Sequence, residues 1–343
     1  QATAGGGGGG GAAAAAGGGG GGPNRRVFKH VAQAYRAEGF GSLGGRGAAG
    51  GVAHGGKKVI AFVITVTKDG PYMDGAAVLA ASIDRACARS AYLCDLVAFV
   101  HPEVQKARPV LERLDFRVLE REVPVQLEDI QDEFTRERVG KGGCCGSAEL
   151  IKLYSYTLTE YHRVLHLDMD TVVLGPLDEL LEASDNDDVS LAYTADVNMG
   201  RPGAVAQPVQ GGFLLVRPDR AVFEQLLEQV VKTVPFRNGQ GWGGSGIGMF
   251  WGGINVQGIL PYYYKRKGRA ARGGRPAVMM EVDRCVYNTM VDTDACRKTQ
   301  VDRVQSAHFT VCQKPWDCYY PHPKQSLCTQ LFDRWYALRA EVR

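Results

Sequence analysis

Hydrophobic residues between positions 59 and 219 form short apolar runs that alternate with stretches of helical periodicity. Residues 59–67 (VIAFVITVT) are a continuous β-branched and aromatic run, which is typical of a strand covered on both faces of a parallel sheet. The same patterns predict further strands over 96–100, 116–119, 164–167, 189–193 and 211–219, and helices over 74–90, 103–114, 147–161, 177–182, 221–233 and from about Leu327. This alternation predicts an α/β fold with a mostly parallel central sheet and flanking helices.

The two ends of the chain differ from this middle part. The first 22 residues contain only Gln, Ala, Thr and Gly, and we expect residues 1–58 to be a largely disordered linker or stem. The folded domain is predicted over 59–325, and a helix over 326–343 is predicted to pack on it. The sequence begins at Gln1 without a signal-peptide pattern, so a missing N-terminal anchor stays open. No apolar run approaches the roughly 20 residues of a membrane helix, and no span is predicted.

The net charge and the cysteine content indicate which partners and which cellular compartment to expect. With 40 basic and 37 acidic residues among 343, the net charge is +3, and no nucleic-acid partner is predicted. Five of the nine cysteines lie after residue 284 and show no Cys-x-x-Cys pairing for zinc, which favours disulfides with one cysteine left over. We therefore expect the lumen of the Golgi or another secretory compartment. The cytoplasm is the alternative, because the chain has no Asn-x-Ser/Thr glycosylation site.

The candidate chemistry lies at the end of the predicted strand over 164–167, where Asp168 and Asp170 follow with Met169 between them. In an extended backbone, residues two positions apart point to the same side, so both carboxylates face one way. A divalent cation would remove their mutual repulsion, because Mg²⁺ and Mn²⁺ take oxygen ligands and commonly bridge carboxylates and substrate phosphates. An isolated Asp-x-Asp, however, can equally begin a solvated loop.

The position of this pair in the chain favours a functional site, because ligands of open α/β sheets bind beyond the carboxyl ends of strands. One hypothesis is phosphotransfer of the haloacid-dehalogenase type, with Asp168 as nucleophile and Asp170 as general acid. That chemistry needs its motif in the first strand and a second acidic pair after a later strand. Here the motif is late, and Asp187-Asp188 precedes its strand, which disfavours this hypothesis. The acidic run 185–188 is predicted to be a solvated turn.

The other hypothesis is sugar transfer from a nucleotide donor. The departing diphosphate gains negative charge, which a cation and a lysine can stabilise. This chemistry needs a third metal ligand and a basic group from elsewhere in the chain, and His308 and Lys314 are available. A glycine-rich loop over 238–253 carries Trp242, which suits either a sugar ring or a hydrophobic plug. The basic segment 265–275 is predicted to be a solvated loop.

Four segments occur in an order and spacing that match a known family. They are DGPYMDGAAVLAASI (69–83), LIKLYSYTLTEYHRVLHLDMDTVVL (150–174), GGFLLVRP (211–218) and AHFTVCQKPW (307–316). Together they make the chain resemble family 8 of the glycosyltransferases, the retaining group that includes glycogenin and galactinol synthase. The resemblance spans most of residues 59–316 and implies a GT-A fold that binds a UDP-sugar and Mn²⁺ or Mg²⁺.

The resemblance also implies roles for individual residues. The metal ligands would be Asp168, Asp170 and His308. Gln210 would be the third catalytic residue beside the two aspartates. Donor-binding residues would be Lys152 and Lys314 at the phosphates, Tyr72 near the uracil, Asp196 near the sugar together with Gln210, and in addition Asp69, Met169 and Gly211. Without the resemblance, His308 would be an ordinary half-buried histidine, Lys152 a solvated helix residue and Tyr72 a turn residue.

The chain departs from the family pattern at three places. Val311 stands where the family usually has Gly, Gln210 where it has Asn, and residues 245–247 where it has Asp-Gln-Gly. These departures spare the predicted metal ligands and leave the sugar and the acceptor open. The sequence therefore predicts a metal-dependent retaining hexosyltransferase that uses a UDP-sugar and a glycan or other hydroxyl acceptor. The alternatives are a non-catalytic nucleotide-sugar or glycan-binding protein, or a scaffold.

Overall fold

The computed structural model describes residues 53–54, 56–186, 189–200, 205–267, 277–318 and 323–342. Most of the predicted linker, Asp187-Asp188 and most of the predicted basic loop lie outside these residues. At the start of that loop, Lys265 and Arg266 are exposed. No helix in the described part of the chain has the length and apolar character needed to cross a bilayer. The division of the chain at residues 58 and 325 stays a prediction.

The core of the fold is one central sheet. The strands in the described part are, in chain order, β1 Ala53–His54, β2 Lys57–Val66, β3 Leu93–Val100, β4 Arg117–Glu120, β5 Arg163–Leu167, β6 Thr171–Val173, β7 Val189–Ala195, β8 Val209–Val216, β9 Phe236–Arg237, β10 Gly241–Trp242, β11 Val278–Glu281 and β12 Ser306–His308. The main sheet has the order β11-β7-β8-β5-β2-β3-β4, with β1 antiparallel on β2. Along that order, β8 alone runs against its neighbours. The predicted mostly parallel sheet is confirmed.

Helices flank this sheet, as the sequence predicts. The α-helices in the described part are α1 Met73–Cys87, α2 Ala107–Arg113, α3 Glu133–Lys141, α4 Asp178–Asn186, α5 Arg220–Gln225, α6 Val256–Tyr262, α7 Asp294–Arg297 and α8 Leu327–Arg339. Helix α5 continues into a π-helical turn, Leu226–Val231. The segment predicted as a helix over 147–161 is a 3₁₀ helix, Gly146–Thr157. Helix α2 begins later than predicted, and the Asp69 carboxylate accepts the backbone N–H groups of residues 105–107 at its start.

The burial of strand β2 on both faces of the sheet explains its unbroken apolar run, residues 59–64. Val59, Ala61 and Val63 pack into the core on one face of the sheet, whereas Ile60 and Phe62 pack into the core on the other face. Side chains alternate between the faces of a sheet, so a strand covered on both sides needs an unbroken apolar run. A third apolar cluster joins helix α8 to helix α1 and strand β6.

At Asp185, the first residue of the predicted solvated turn, the structure has an ion-pair cluster. Asp185 lies at the end of helix α4, and its Oδ1 accepts bonds from Nε and Nη2 of Arg163 at 3.0 and 2.8 Å. The Arg163 side chain is completely buried. Asp185 Oδ2 contacts Lys58 Nζ and His162 Nε2, each at 2.7 Å. The prediction of a solvated turn is wrong at Asp185, because the buried guanidinium on the neighbouring strand requires a carboxylate partner.

Three disulfides connect segments that the sequence alone did not pair. They are Cys87–Cys94, Cys285–Cys296 and Cys312–Cys328. The third joins the segment after strand β12 to helix α8. Cys144, Cys145 and Cys318 are free and exposed, so three cysteines rather than one are left over.

Candidate metal centre

The reversed strand β8 places its beginning beside the carboxyl end of β5. Leu167 pairs with Phe213, and the backbone N–H of Asp168 donates to Gly212 O at 3.3 Å. A tight turn follows, in which the Thr171 N–H donates to Asp168 O at 3.1 Å. The two aspartates therefore leave a fully buried strand where the start of β8 limits the available space.

A second, two-stranded sheet brings the third candidate ligand to the same place. Strand β12 pairs antiparallel with β6, so that His308 lies opposite Thr171. The backbone N–H of Phe309 donates to Asp170 O at 2.8 Å. The segments that carry Asp170 and His308 are thus joined by main-chain hydrogen bonds, although 138 positions separate them in the sequence (308 − 170).

Asp168, Asp170 and His308 form a group whose ligand atoms all lie within 4.8 Å of one another. His308 Nε2 is 3.2 Å from Asp170 Oδ1 and 3.8 Å from Asp168 Oδ2. Two ligand atoms about 2.1 Å from one cation and at right angles to each other are about 3 Å apart, which is close to the smaller separation. Two carboxylates and an imidazole are also a suitable donor set for Mn²⁺. These three residues fit a divalent cation.

Two lysines contact the carboxylates of this site. Lys152 Nζ donates to Asp168 Oδ1 at 2.9 Å and to Gly211 O at 3.0 Å, and its side chain is 12% exposed. Lys314 Nζ contacts Asp170 Oδ2, and its side chain is 34% exposed. Both ammonium groups therefore lie where they could also contact an anion bound next to the cation. The structure brings these two predicted donor-binding residues together with the predicted metal ligands.

The charges of the site shift the pKa values of its members. Burial alone would raise the pKa of Asp170, but His308 and Lys314 outweigh burial and lower it. Burial likewise raises the pKa of Asp168, and Lys152 with His308 brings it below its usual value. Burial would lower the pKa of His308, but the two carboxylates raise it above its usual value. Both aspartates are therefore ionised at neutral pH and ready to bind a cation.

We expect the affinity for Mn²⁺ to fall as the pH is lowered through the pKa of His308. Imidazole must be neutral to bind a metal, so a proton on His308 competes with the cation. The carboxylates raise this pKa, so the competition begins above the ordinary histidine value of about 6.5. Calorimetric Mn²⁺ titrations between about pH 5.5 and 8.5 measure the effect. His308→Gln is the control that should bind weakly at every pH, and an affinity of the wild-type protein that is constant over this range would contradict the assignment.

Gly212 leaves room for the metal site. A Cβ atom at this position would lie 2.6 Å from His308 Cε1 and 2.7 Å from Asp168 Oδ2. We expect Gly212→Ala to weaken Mn²⁺ binding at least tenfold, or by about 1.4 kcal/mol, because its methyl group displaces two ligands while all ligands stay present. Gly140→Ala in helix α3 is the matched control, since its Cβ would meet only Leu127 Cδ1 at 3.3 Å. A folded Gly212→Ala variant with unchanged Mn²⁺ affinity would count against the site.

Gln210 in strand β8 and Asp196, which directly follows the neighbouring strand β7, lie close to this site. Gln210 is 8% exposed, and its Oε1 accepts the Gly212 N–H at 2.6 Å and Asn288 Nδ2 at 3.2 Å. Asp196 is 6% exposed and accepts the Met199 N–H at 3.3 Å. Burial raises the pKa of Asp196. Their roles at a donor sugar stay predictions.

The remaining predicted residues, Asp69, Tyr72 and Met169, lie around the start of helix α1. The Asp69 carboxylate is occupied by the backbone before helix α2, and the Tyr72 hydroxyl donates to Asp69 O at 3.5 Å. A Cβ at Gly75 would be 2.7 Å from Met169 O, so the start of helix α1 packs directly against the Asp-Met-Asp segment. Tyr72 therefore lies on a loop next to the metal site, and its contact with a base stays a prediction.

Two residues beside the site were missed from the sequence. Glu149 is 6% exposed, its Oε1 lies 4.0 Å from Lys152 Nζ, and burial raises its pKa. A Cβ at Gly211 would lie 3.2 Å from Glu149 Oε1 and 3.5 Å from Gln257 Cγ. Gln257 and Gly258 open helix α6, so this end of the helix holds a Gln-Gly pair. The sequence signal for this pair is Val-Gln-Gly at residues 256–258. It matches two of the three residues of the family's Asp-Gln-Gly segment, which the family resemblance aligned with residues 245–247.

The sequence left open whether the aromatic residues of the glycine-rich loop contact a sugar ring or form a hydrophobic plug. Trp242 and Trp251 of this loop differ in burial. Trp242 is completely buried, its Nε1–H donates to Gly253 O at 2.9 Å, and it packs edge-on against Phe236. It is a hydrophobic plug. Trp251 is 60% exposed and available to a ligand.

Comparison with known proteins gives a distant structural likeness to glycosyltransferases. No family model matches the sequence, and no curated protein matches it significantly. The bifunctional glycosyltransferase WbbM is 14% identical with a TM-score of 0.49 over 92% of this chain, which spans 57% of the length of WbbM. LgtC, solved as an active-site mutant, is 14% identical with a TM-score of 0.47 over 82% of this chain and 96% of LgtC. GlyE of Streptococcus pneumoniae TIGR4 is 13% identical with a TM-score of 0.47 over 83% of this chain and 62% of GlyE.

These likenesses are too distant to carry an argument about activity. Membership of glycosyltransferase family 8 stays a prediction from the sequence.

Proposed function

We propose that the protein is a metal-dependent retaining glycosyltransferase that moves a hexose from a UDP-sugar to a hydroxyl acceptor. The observation that carries the proposal is the group Asp168, Asp170 and His308, whose ligand atoms lie within 4.8 Å at the carboxyl end of a central strand. Lys152 and Lys314 contact the two carboxylates of this group. A cation site flanked by two ammonium groups is suited to an anionic leaving group such as a diphosphate.

The chemical need in this reaction is to stabilise the negative charge of the departing UDP. When bound, Mn²⁺ or Mg²⁺ supplies Lewis-acid stabilisation of the diphosphate oxygens. Lys152 is held by the Gly211 carbonyl and by Asp168, so its ammonium group is positioned before a ligand arrives. Lys314 is more exposed than Lys152, and its ammonium group would also contact the phosphate oxygens. Fixed charges of this kind stabilise the transition state without a reorganisation cost.

Retention of configuration is assigned to a displacement on the same face of the sugar. The leaving phosphate itself then helps to deprotonate the acceptor hydroxyl. Gln210, which stands at the candidate position for a nucleophile, has an uncharged amide whose oxygen already accepts from Gly212 N–H and Asn288. This supports an orienting role for Gln210 and a dissociative path over a covalent intermediate on that residue.

The three disulfides support the proposal that the protein works in an oxidising lumen of the secretory pathway. The cytoplasm, with its reduced thiols, is the less suitable compartment. Cleavage of an epitope tag by a protease supplied only to the lumen would test this location.

A donor screen tests the proposed activity. UDP release is measured for a panel of UDP-hexoses with Mn²⁺, with and without excess chelator, and the anomeric configuration of the transferred sugar is read by NMR. We expect release from at least one donor, loss of release with the chelator, and an unchanged anomeric configuration. Inverted product would refute retention.

A second candidate is a non-catalytic nucleotide-sugar or glycan-binding protein. The observation that favours it is Val311, a residue that is 43% exposed where the resembled family usually has Gly at the diphosphate. Binding of UDP-sugars with no UDP release from any donor would favour this candidate. Absence of UDP-sugar binding would refute both the transferase and the nucleotide-sugar-binding protein, and would leave glycan binding to be tested with glycans.

A further inference from the structure

Cys144 and Cys145 are adjacent in the sequence and lie in a turn formed by residues 142–146, directly before the 3₁₀ helix that carries Lys152. Their sulfur atoms are 2.7 Å apart, and both residues are exposed. We propose that they form a vicinal dithiol site, which binds trivalent arsenicals when reduced and is converted to a disulfide by exchange with a low-molecular-weight disulfide. The proposal does not depend on the proposed transferase activity.

The backbone of the turn brings the two sulfur atoms together. Side chains of consecutive residues in extended chain point apart. Here glycines on either side of the pair adopt left-handed conformations, with φ of +65° at Gly143 and +58° at Gly146. The Gly146 N–H donates to Gly142 O at 3.1 Å and closes the turn. Since glycine enters this region without the penalty of a Cβ atom, the sequence Gly-Gly-Cys-Cys-Gly is suited to presenting two thiols on one side.

A buried side chain holds both ends of this turn. Asn255 is completely buried at the start of helix α6, and its Nδ2 donates to Gly142 O at 2.8 Å and to Gly146 O at 3.1 Å. The two carbonyls lie on opposite sides of the cysteine pair. The turn is therefore fixed to the protein at both ends while the thiols themselves stay accessible.

The other cysteines do not share this arrangement. Six of the nine form disulfides with partners seven or more positions away, and Cys318 is a single exposed thiol on a different segment. Cys318 is therefore the internal control for a reaction that needs two adjacent thiols.

The environment of the pair favours attack by Cys145. The hydrogen bond between the two sulfur atoms lowers the pKa of Cys145; partial burial opposes this shift, and the nearby Lys152 adds to it. The thiolate is the nucleophile in thiol–disulfide exchange. Cys145 attacks one sulfur of the reagent RSSR, forms a mixed disulfide and releases RS⁻. Cys144 then loses its proton to solvent, its sulfur attacks Cys145 and releases the second RS⁻, so two thiols are oxidised and RSSR is reduced to two RSH.

Mass spectrometry of the full chain tests the exchange step. The protein is incubated with oxidised glutathione, trapped with N-ethylmaleimide, and its reactive thiols are counted. We expect the count to fall from the three free cysteines to none, with a glutathione adduct on the single thiol Cys318 and no adduct on Cys144 or Cys145. The peptide that contains residues 144 and 145 should lose the mass of two hydrogen atoms, and a mild reductant should reverse the change. In Cys318→Ser the count should fall to none. A stable glutathione adduct on Cys144 or Cys145 of the wild-type protein, or a disulfide-linked dimer through them, would overturn the proposal.

Binding of phenylarsine oxide tests the reduced site independently. The wild-type protein and Cys318→Ser should each bind one equivalent, because two adjacent thiols form two As–S bonds to one trivalent arsenic atom, whose oxygen leaves as water with the two thiol protons. Cys144→Ser and Cys145→Ser should each lose this binding and keep a glutathione adduct on the remaining cysteine. All three replaced residues are exposed, so folding is expected to persist, and thermal unfolding verifies it. Equal arsenical binding by the wild-type protein and either single-thiol variant would refute the vicinal site.

Discussion

The Asp170→Ala variant is expected to lose sugar transfer, with kcat/KM about a thousandfold lower, which corresponds to about 4 kcal/mol of transition-state stabilisation. Asp170 Oδ1 lies 3.2 Å from His308 Nε2, and Oδ2 contacts Lys314. The substitution removes one metal ligand and at the same time the group that positions a phosphate-binding lysine. UDP release at fixed Mn²⁺ measures the loss of rate, and a Mn²⁺ titration should show a parallel loss of affinity.

Asp302→Ala is the matched control for this prediction. Asp302 is 83% exposed and forms a surface ion pair with Arg334, so its removal should leave both transfer and Mn²⁺ binding unchanged. Thermal unfolding of both variants separates a lost ligand from a lost fold. If Asp170→Ala retains transfer near the wild-type level, Asp170 is not a metal ligand.

Among the variants proposed here, Asp185→Ala should cause the largest decrease in the free energy of unfolding. In this variant the Arg163 guanidinium stays completely buried and keeps its carbonyl acceptors at Ser184 and Val189, but it loses the Asp185 carboxylate. Breaking a buried ion pair from one side costs about 3–5 kcal/mol. Urea unfolding measures the difference in free energy, and Asp302→Ala again serves as an exposed control, with a change expected within about 0.5 kcal/mol. A loss for Asp185→Ala of similar size to that of the control would contradict the role of the buried pair.

The pH dependence of the same pair gives a separate test. Burial would raise the pKa of Asp185, but hydrogen bonds from His162, Lys58 and Arg163 lower it below the usual value. A carboxyl with a lowered pKa stabilises the fold above its unfolded pKa of about 3.9 and loses that contribution as the pH falls further. The stability difference between the wild-type protein and Asp185→Asn should therefore be constant at neutral pH and shrink below about pH 4.

Local sequence patterns were sufficient for the elements that depend on local burial. The unbroken apolar run of strand β2 predicts a strand that is covered on both faces. In the structure, Ile60 and Val63 are buried on opposite faces of the sheet. Strand β5 and the two aspartates after it could likewise be predicted from local sequence, because apolar residues precede the aspartates. Their grouping with His308 was reached through the resemblance, since the pairing of β12 with β6 joins distant segments and leaves no local trace in the sequence.

The features that the sequence did not reveal all depend on contacts between a helical segment and a strand that are separated in the sequence. In the sequence Asp185 belongs to a polar run, but in the structure it accepts a hydrogen bond from the buried Arg163 of strand β5. Glu149 reads as an ordinary helix residue, yet the reversed strand β8 brings Gly211 against it. Gln257 is close to the site for the same reason. Glu149 and Gln257 lie at the site because of the orientation of β8, which periodicity alone does not determine.

Calorimetric titration of UDP into the wild-type protein, first with Mn²⁺ and then with excess chelator, tests the central claim most directly. If Asp168, Asp170 and His308 hold a cation that binds the diphosphate together with the two lysines, UDP should bind with Mn²⁺ and at least tenfold more weakly without it, a difference of about 1.4 kcal/mol. His308→Ala should remove this dependence on the cation. UDP affinity that is the same with Mn²⁺ and with chelator, or no binding of UDP in the presence of Mn²⁺, would contradict the account.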